Sequence, residues 1–373
     1  MDYDLIVIGL GPAGSIAARN ASRMGLRVLA FDRALFPRPK VCGGGLSPRV
    51  RSFFDGGTIP AVETVVTELG LNFNGNSTHV SFEDPIAYLV CRDRFDHALL
   101  IEAEKAGTRI MTGERVLKII ETSESFSVFT EKNEYRARTG IGADGALGIT
   151  SRHLNPLNIR KGYPGIEGEC PLPAMKAESR IEIDVGVSPG GYGWIFPKGK
   201  RTSIGVAAMD QGKEIRKQFL DYAGELNKTS DSPLQGEGHP LPLWRKNGAW
   251  NVHSNRSLLA GDAARLVDPF FGEGIYYAMR SGELAAAAVN RFIRNQTPFS
   301  AYEEVIRREF YPEFRGARRL ARIVYLHPGL FFRLASKHPG VLDLYADILR
   351  GKRFYRNFLS AIFQTAFRKL FLP

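Results

Sequence analysis

Apolar and polar positions alternate along this chain in two rhythms. Near the start, Leu5-Ile6-Val7-Ile8 form an unbroken apolar run, as in a strand buried on both faces. Three glycines follow at Gly9, Gly11 and Gly14, and an Ala-rich segment at helical spacing runs to about residue 24, where Gly25 stops it. A second β-rich run over 27–31 ends on Asp32. From 58 to 90 the apolar residues come in short runs divided by Gly and Asn, at 62–66, 72–73, 79–82 and 87–90, predicting antiparallel sheet in a second domain. The stretch 91–106 predicts a helix capped by Asp93 and stopped by Gly107. Strands are expected at 109–111, 115–120, 126–130, 134–142, 180–185, 191–197, 202–207 and 258–260. A helix then runs to about residue 290, and everything after Ser300 reads as helix. The last segment, 355–372, carries apolar residues at 355, 358, 359, 362, 363, 366, 367 and 370, a wide helical face rich in Phe.

The first of these patterns carries chemistry. Strand, Gly-rich turn, helix, strand and acid follow in the order of a dinucleotide-binding βαβ unit. Gly9 permits the turn, Gly11 leaves the backbone open to a pyrophosphate, and Gly14 lets the helix approach the sheet. The helix N-terminus offers free N–H groups to phosphate. Asp32 stands where a carboxylate accepts from both ribose hydroxyls, which favours FAD or NAD over NADP.

Composition narrows the class. With 44% hydrophobic and 24% charged residues the chain reads as globular, and the three cysteines, Cys42, Cys91 and Cys170, are too far apart in sequence for a zinc motif or a disulfide framework. Reduced thiols fit the cytoplasm. The apolar run after Asp4 is broken by Gly and Pro, as in a core strand and unlike a signal peptide, and no apolar stretch reaches the roughly 20 residues that span a bilayer. Net charge is +11, and after Asp347 there is no acid but Arg350, Lys352, Arg353, Arg356, Arg368 and Lys369, which points to an anionic partner near the C-terminus. No nucleic-acid motif accompanies it, so the expected partner is an anionic membrane met through the C-terminal helix.

Five other stretches stand out. In 36–45, two prolines and three consecutive glycines make a loop whose backbone approaches something closely, with Cys42 at its centre, either a buried small apolar residue or a reactive one. Arg92 sits at a helix start, where it meets cofactor oxygens or a surface carboxylate at Asp96. Asp144-Gly145 closes a strand at an edge where ligands sit. In 189–197, Tyr192, Trp194 and Phe196 share one face of a strand, as an ordinary core face or as the wall of an apolar channel. Gly261-Asp262 and the Gly-rich turn before Ile275 prepare a second helix N-terminus for negative charge.

Together these segments resemble the geranylgeranyl reductase family, within the wider flavoprotein group of the p-hydroxybenzoate hydroxylase type. The resemblance runs from Asp4 to about residue 290. Its narrower marks are Lys40-x-Cys42-Gly-Gly-Gly45 and Pro189-x-x-Tyr192-x-Trp194-x-Phe196-Pro197. It implies an α/β (α+β overall) architecture: a discontinuous Rossmann-type FAD-binding domain (1–57, 92–155, 250–295), an antiparallel-sheet substrate domain (58–91, 156–249) and a helical C-terminal region (296–373). It implies that Gly9, Gly11, Ala13 and Gly14 cradle the FAD pyrophosphate, and that Asp32 holds the adenosine ribose. By the same resemblance Val116 meets the adenine, Arg92, Cys42, Gly43 and Gly45 approach the cofactor, and Asp262, Gly274 and Ile275 hold ribitol and flavin. Tyr192, Trp194 and Phe196 line a prenyl channel. The implied activity is saturation of C=C bonds in a geranylgeranyl or other isoprenoid chain, with Cys42 as the candidate to influence protonation and electrons from NAD(P)H or a ferredoxin-like carrier. The implied place is the cytoplasm, at the inner face of the cell membrane. A flavin monooxygenase on the same fold is the rival.

Overall fold

The computed structural model describes residues 2–156, 162–171, 179–208, 214–226, 234–245 and 250–358. The predicted helix beyond residue 358 lies outside the described residues.

The apolar run Tyr3–Ile8 becomes the centre of a parallel sheet, with Val28–Asp32 on one side and Glu134–Gly142 on the other. Arg109–Thr112 extends it in parallel beyond Val28–Asp32. Leu5, Ile6 and Val7 are fully buried, as a strand covered on both faces must be. Glu134–Gly142 changes partner along its length. Its first half pairs antiparallel with Phe126–Phe129, which continues to Lys118–Glu121, and its last three residues pair in parallel with Ser257–Leu259. The strand expected at 115–120 therefore starts three residues later, because Val116 turns to a cavity before the ladder begins.

The α-helices, in chain order, are α1 (Pro12–Arg23), α2 (Arg92–Lys105), α3 (Ile149–Leu154), α4 (Ile215–Leu226), α5 (Ile275–Asn295), α6 (Ser300–Glu309), α7 (Tyr311–Leu326), α8 (Pro328–Lys337) and α9 (Gly340–Leu349). Helix α1 lies between α2 and α5. It crosses α5 so closely that a Cβ on Gly282 would stand 2.2 Å from the Ala13 carbonyl. Asp93 does not cap α2: the N-cap is Cys91, and Asp93, already inside the helix, accepts the Arg94 N–H at 2.8 Å.

The second sheet runs in the order Glu237–Leu241, Tyr163–Pro171, Arg201–Ala208, Gly191–Lys198, Arg180–Val185, Glu68–Phe73, Asn76–Ser81. It is antiparallel at every step except one, where Arg180–Val185 meets Glu68–Phe73 in parallel. Those two strands come from separate excursions of the chain, so no hairpin fixes their relative direction. Glu68–Phe73 and Asn76–Ser81 turn at Asn74-Gly75, both at positive φ, as a two-residue hairpin requires. The strands Val62–Val66 and Ala87–Val90 do not join this sheet. They form a separate one with Gly45–Leu46.

Helices α7, α8 and α9 close over the second sheet. Leu71 and Val185 share a buried cluster with Leu320, Val324, Phe332 and Tyr345, and Phe270 joins it from the loop before α5. Of the basic residues near the C-terminus, the four that are described are satisfied internally: Lys352 pairs with Asp84, Arg353 with Asp347 and Arg356 with Glu313, while Arg350 donates to the carbonyls of Asp84 and Pro85. Among the described residues no helix is long and apolar enough to cross a membrane.

Candidate functional site

One cavity of about 1240 Å³ connects the C-terminal edge of the first sheet to the inner face of the second sheet and to α7–α9. Every residue singled out from the sequence lines it: Gly9, Gly11, Ala13, Asp32, Cys42, Gly43, Gly45, Arg92, Val116, Tyr192, Trp194, Phe196, Asp262, Gly274 and Ile275, all but Gly14, which lies under the turn.

The nucleotide end is built by the first βαβ unit. Gly9 has φ +96°, and a Cβ on Gly14 would stand 1.8 Å from the Gly9 carbonyl oxygen, so both glycines are obligatory for the turn. Gly11 differs. Its open side meets only an Arg38 Nη2 at 3.6 Å, which leaves the backbone accessible. Helix α1 begins there with no side-chain cap and no acid in its first turn, so its free N–H groups are left for a ligand. Asp32 is held by the N–H groups of Leu10 and Ala34, each at 2.9 Å. Each of its oxygens keeps further lone pairs for a donor in the cavity. Asp144 is committed elsewhere, since it accepts from the Thr150 N–H and hydroxyl and so secures the start of α3.

Arg92 makes a two-bond ion pair with Asp96, both distances 2.8 Å, and Arg38 shares the same carboxylate at 3.2 Å. The pair predicted for the surface is buried, with Asp96 fully enclosed, because α2 packs under α1 and the loop over 36–45 folds across it. Burial works against the Arg92 charge, and the Asp96 carboxylate more than restores it.

In the loop, Gly44 takes φ +70°, and a Cβ there would stand 2.1 Å from the Val90 carbonyl oxygen, while Gly43 backs onto Trp194 and Phe196. Cys42 is half-buried, and its Sγ accepts the Gly44 N–H at 3.4 Å. Its carbonyl accepts from the Lys198 ammonium at 3.1 Å, and Lys198 is shared with Glu167 and Glu169. Burial opposes the Lys198 charge and the two glutamates hold it above its ordinary value.

Tyr192, Trp194 and Phe196 do share one face, with successive ring centroids 6.0 and 6.2 Å apart. Trp194 donates to Ser203, which donates to Glu167, so the indole is anchored in the sheet. Tyr192 donates to the Phe271 carbonyl at 2.5 Å and stacks on Tyr325 of α7, which stacks on Phe270 and donates to its carbonyl at 2.6 Å. The remainder of this arm is apolar, including Leu71, Ile183, Val324, Phe331 and Leu342.

Asp262 sits in a short 3-10 turn opposite Gly274, whose missing Cβ would lie 3.6 Å from its Oδ1. Burial raises the Asp262 carboxyl, and Lys40 and Arg92 pull it back. Gly274 is the N-cap of α5 and Ile275 its first residue, so a second helix N-terminus faces the cavity without an acid in its first turn.

Four further residues of the cavity region are given no role by the sequence, Lys40 being marked there only as part of the Lys40-x-Cys42 motif. Lys40 and His239 meet at 2.7 Å; burial, then Arg92, lowers Lys40 to about 8, and burial, then Lys40, lowers His239 to about 4, so Lys40 donates and His239 accepts. Tyr325 arrives from α7 at a position indistinguishable from ordinary core spacing. Asp268, fully buried, accepts the N–H groups of Phe270 and Phe271 at 2.6 and 2.9 Å. Burial, with Glu273 adding to it, pushes its carboxyl up to about 7.

No family model matches the chain. A geranylgeranyl diphosphate reductase of Rhodobacter capsulatus is 32% identical over 309 residues, covering 80% of this chain and 78% of that protein. A menaquinone reductase of Mycolicibacterium smegmatis is 30% identical over 352 residues, 87% of this chain and 85% of that one. Among solved structures, a geranylgeranyl bacteriochlorophyll reductase-like protein of Thermoplasma acidophilum superposes with a TM-score of 0.74 at 22% identity, covering 97% of this chain and 95% of that one. It shares the fold.

Proposed function

The chain belongs to the geranylgeranyl reductase family, and we propose from that premise how its cavity does the family's work. It is an FAD-dependent reductase that saturates C=C bonds of an isoprenoid chain. The observation that carries the reading is a single cavity with a nucleotide seat at one end and an aromatic, otherwise apolar arm at the other.

The residues fit the cofactor. The open backbone at Gly11 and the uncapped start of α1, with Ala13, would take the pyrophosphate, on a turn made possible by Gly9 and Gly14. Asp32 would accept from the ribose, Val116 would border the adenine, and Asp262 would accept from the ribitol. Arg92, Cys42, Gly43 and Gly45 would border the flavin, with Gly274 and Ile275 presenting the α5 N-terminus to its pyrimidine edge. When bound and reduced, FAD supplies the hydride.

This chain's residues supply the rest. An isolated alkene gains hydride at one carbon and a proton at the other, and positive charge gathers at the more substituted carbon. The faces of Tyr192, Trp194, Tyr325 and Phe270 attract such charge. The apolar arm keeps water from quenching it. The Tyr192 hydroxyl is committed to the Phe271 carbonyl, and burial raises its pKa, so it orients the wall and does not supply the proton. We assign Cys42, or a water beside it, to proton delivery, because its thiol lies in the cavity wall beside Arg92. The electrons come from NAD(P)H or a ferredoxin-like carrier, and the protein works at the inner face of the cell membrane, where prenyl lipids reside.

The test is anaerobic. Protein reduced with dithionite is given geranylgeranyl compounds with different head groups, and products are weighed while flavin absorbance is followed. Product heavier by two hydrogens per double bond, with return of oxidised flavin, supports the reading. Oxygenated product appearing only after air is admitted overturns it in favour of a monooxygenase.

A further inference from the structure

Between Glu313 and Asp343 the chain has no acidic residue, yet it carries Arg315, Arg318, Arg319, Arg322, Arg333 and Lys337. This stretch is α7, α8 and the corner between them. Among the described residues no carboxylate pairs with Arg315, Arg318, Arg319 or Arg322, in contrast to Lys352, Arg353 and Arg356, which all find one. The arginines recur at spacings of three and four, so they form one exposed stripe along α7.

That stripe ends in apolar side chains that none of the described residues covers. Ile323 is 46% exposed, Leu326 65% and Leu330 59%, three of the ten large apolar residues exposed among those described, gathered at one helix corner. Their neighbours in sequence point the other way: Val324, Tyr325 and Phe331 line the cavity. The same two helices thus wall the apolar arm on one side and present a basic, apolar-tipped face on the other.

We propose that the α7–α8 corner is where the protein docks on an anionic lipid bilayer, with Leu326 and Leu330 entering the headgroup boundary and the α7 arginines lying over the anionic headgroups. Charge selects this occupant. The segment after residue 358 is itself basic, with Arg368 and Lys369 and no acid, and so is a poor complement for this face. The inference rests on the prenyl-reductase reading for its purpose: docking brings the cavity wall to the membrane that holds the substrate.

The experiment uses full-length flavin-loaded protein and vesicles of phosphatidylcholine alone or with phosphatidylglycerol, separated by sedimentation. Binding is expected to anionic vesicles and to weaken steeply with salt. The triple variant Arg318→Gln, Arg319→Gln, Arg322→Gln is expected to lose about a hundredfold in apparent affinity, about fivefold per charge, and the pair Leu326→Asp, Leu330→Asp at least tenfold. All five side chains are exposed, so flavin content, melting temperature and reduction of detergent-dispersed geranylgeranyl diphosphate stay at wild-type level. The idea is overturned if the wild type ignores anionic vesicles, or if these variants bind like the wild type while Phe363→Ser, Phe367→Ser abolishes binding. Vesicle binding with no prenyl reduction under any condition would sink the functional reading and leave the surface standing.

Discussion

The hydroxyl of Tyr192 donates to the carbonyl of Phe271 across 2.5 Å, tying the aromatic strand of the second sheet to the loop that leads into α5. Tyr325 makes the matching bond to Phe270 from α7. Replacing Tyr192 by Phe keeps the ring and removes the tie. A buried hydrogen bond of this kind contributes about 1 kcal/mol net, so reoxidation of the reduced flavin by a prenyl substrate should slow about fivefold while flavin content is unchanged. Tyr325→Phe should behave alike, and anaerobic stopped-flow absorbance reads both.

Gly11 and Gly14 should fail in different ways. A Cβ at position 14 would overlap the Gly9 carbonyl, whereas at position 11 it meets nothing closer than 3.6 Å. Gly14→Ala should be insoluble or lose the cooperative unfolding transition. Gly11→Ala should fold with a normal circular dichroism spectrum and release its flavin on dilution, which fluorescence detects.

Asp96 compensates the buried Arg92. Asp96→Ala strands that guanidinium with no carboxylate, a loss of about 3–5 kcal/mol by analogy with broken buried pairs. Urea unfolding should show the midpoint falling with its slope unchanged. An unaltered midpoint would mean that Arg92 finds another anion.

The Asp268 carboxyl, pushed up to about 7 by burial, titrates near 3.9 once unfolded. The folded state therefore prefers the neutral acid, and this group's contribution to stability is lost as pH rises from about 4 to about 7, then stays level. Asp268→Asn preserves an acceptor for the Phe270 and Phe271 N–H groups and removes the titration. Its melting temperature should gain on the wild type between pH 5 and pH 8, and scans at both pH values test this.

Cys42→Ala should retain flavin and still bind prenyl substrate, yet reduce it at least tenfold more slowly. An unchanged rate, with unchanged deuterium uptake from heavy water, would remove Cys42 from proton delivery.

What could be read from the sequence was what is local. The βαβ unit from Tyr3 to Asp32 declares itself because strand, Gly-rich turn, helix, strand and acid follow one another within thirty residues, and Gly14 is required by the carbonyl of Gly9 only five residues away. The face shared by Tyr192, Trp194 and Phe196 follows from the period of a strand. Arg92 and Asp96 were readable as an i,i+4 pair, but their burial depends on α1 and on the loop over 36–45, which no spacing encodes. His239 and Tyr325 reach the cavity, and Lys198 reaches the Cys42 carbonyl, through sheet register and helix docking across long stretches of chain. The parallel step between Arg180–Val185 and Glu68–Phe73 was hidden for the same reason: short apolar runs state that strands exist, and their partners are chosen in three dimensions.

The strand Glu134–Gly142 has a consequence for ancestry. It hands over from one partner to another midway, and Ser257–Leu259 rejoins it after an excursion of more than a hundred residues. The nucleotide seat therefore closes on itself largely within one sheet, with only the start of the excursion at Ala143 and Asp144 packed against its Gly9 turn. Mutation can remodel the excursion, and with it the chain that is accepted, at little risk to the pyrophosphate and ribose seat, provided that the strand residues backing the 36–45 loop, Trp194, Phe196 and Lys198, are kept. Such modularity suits a family whose relatives are named for a diphosphate and for a quinone.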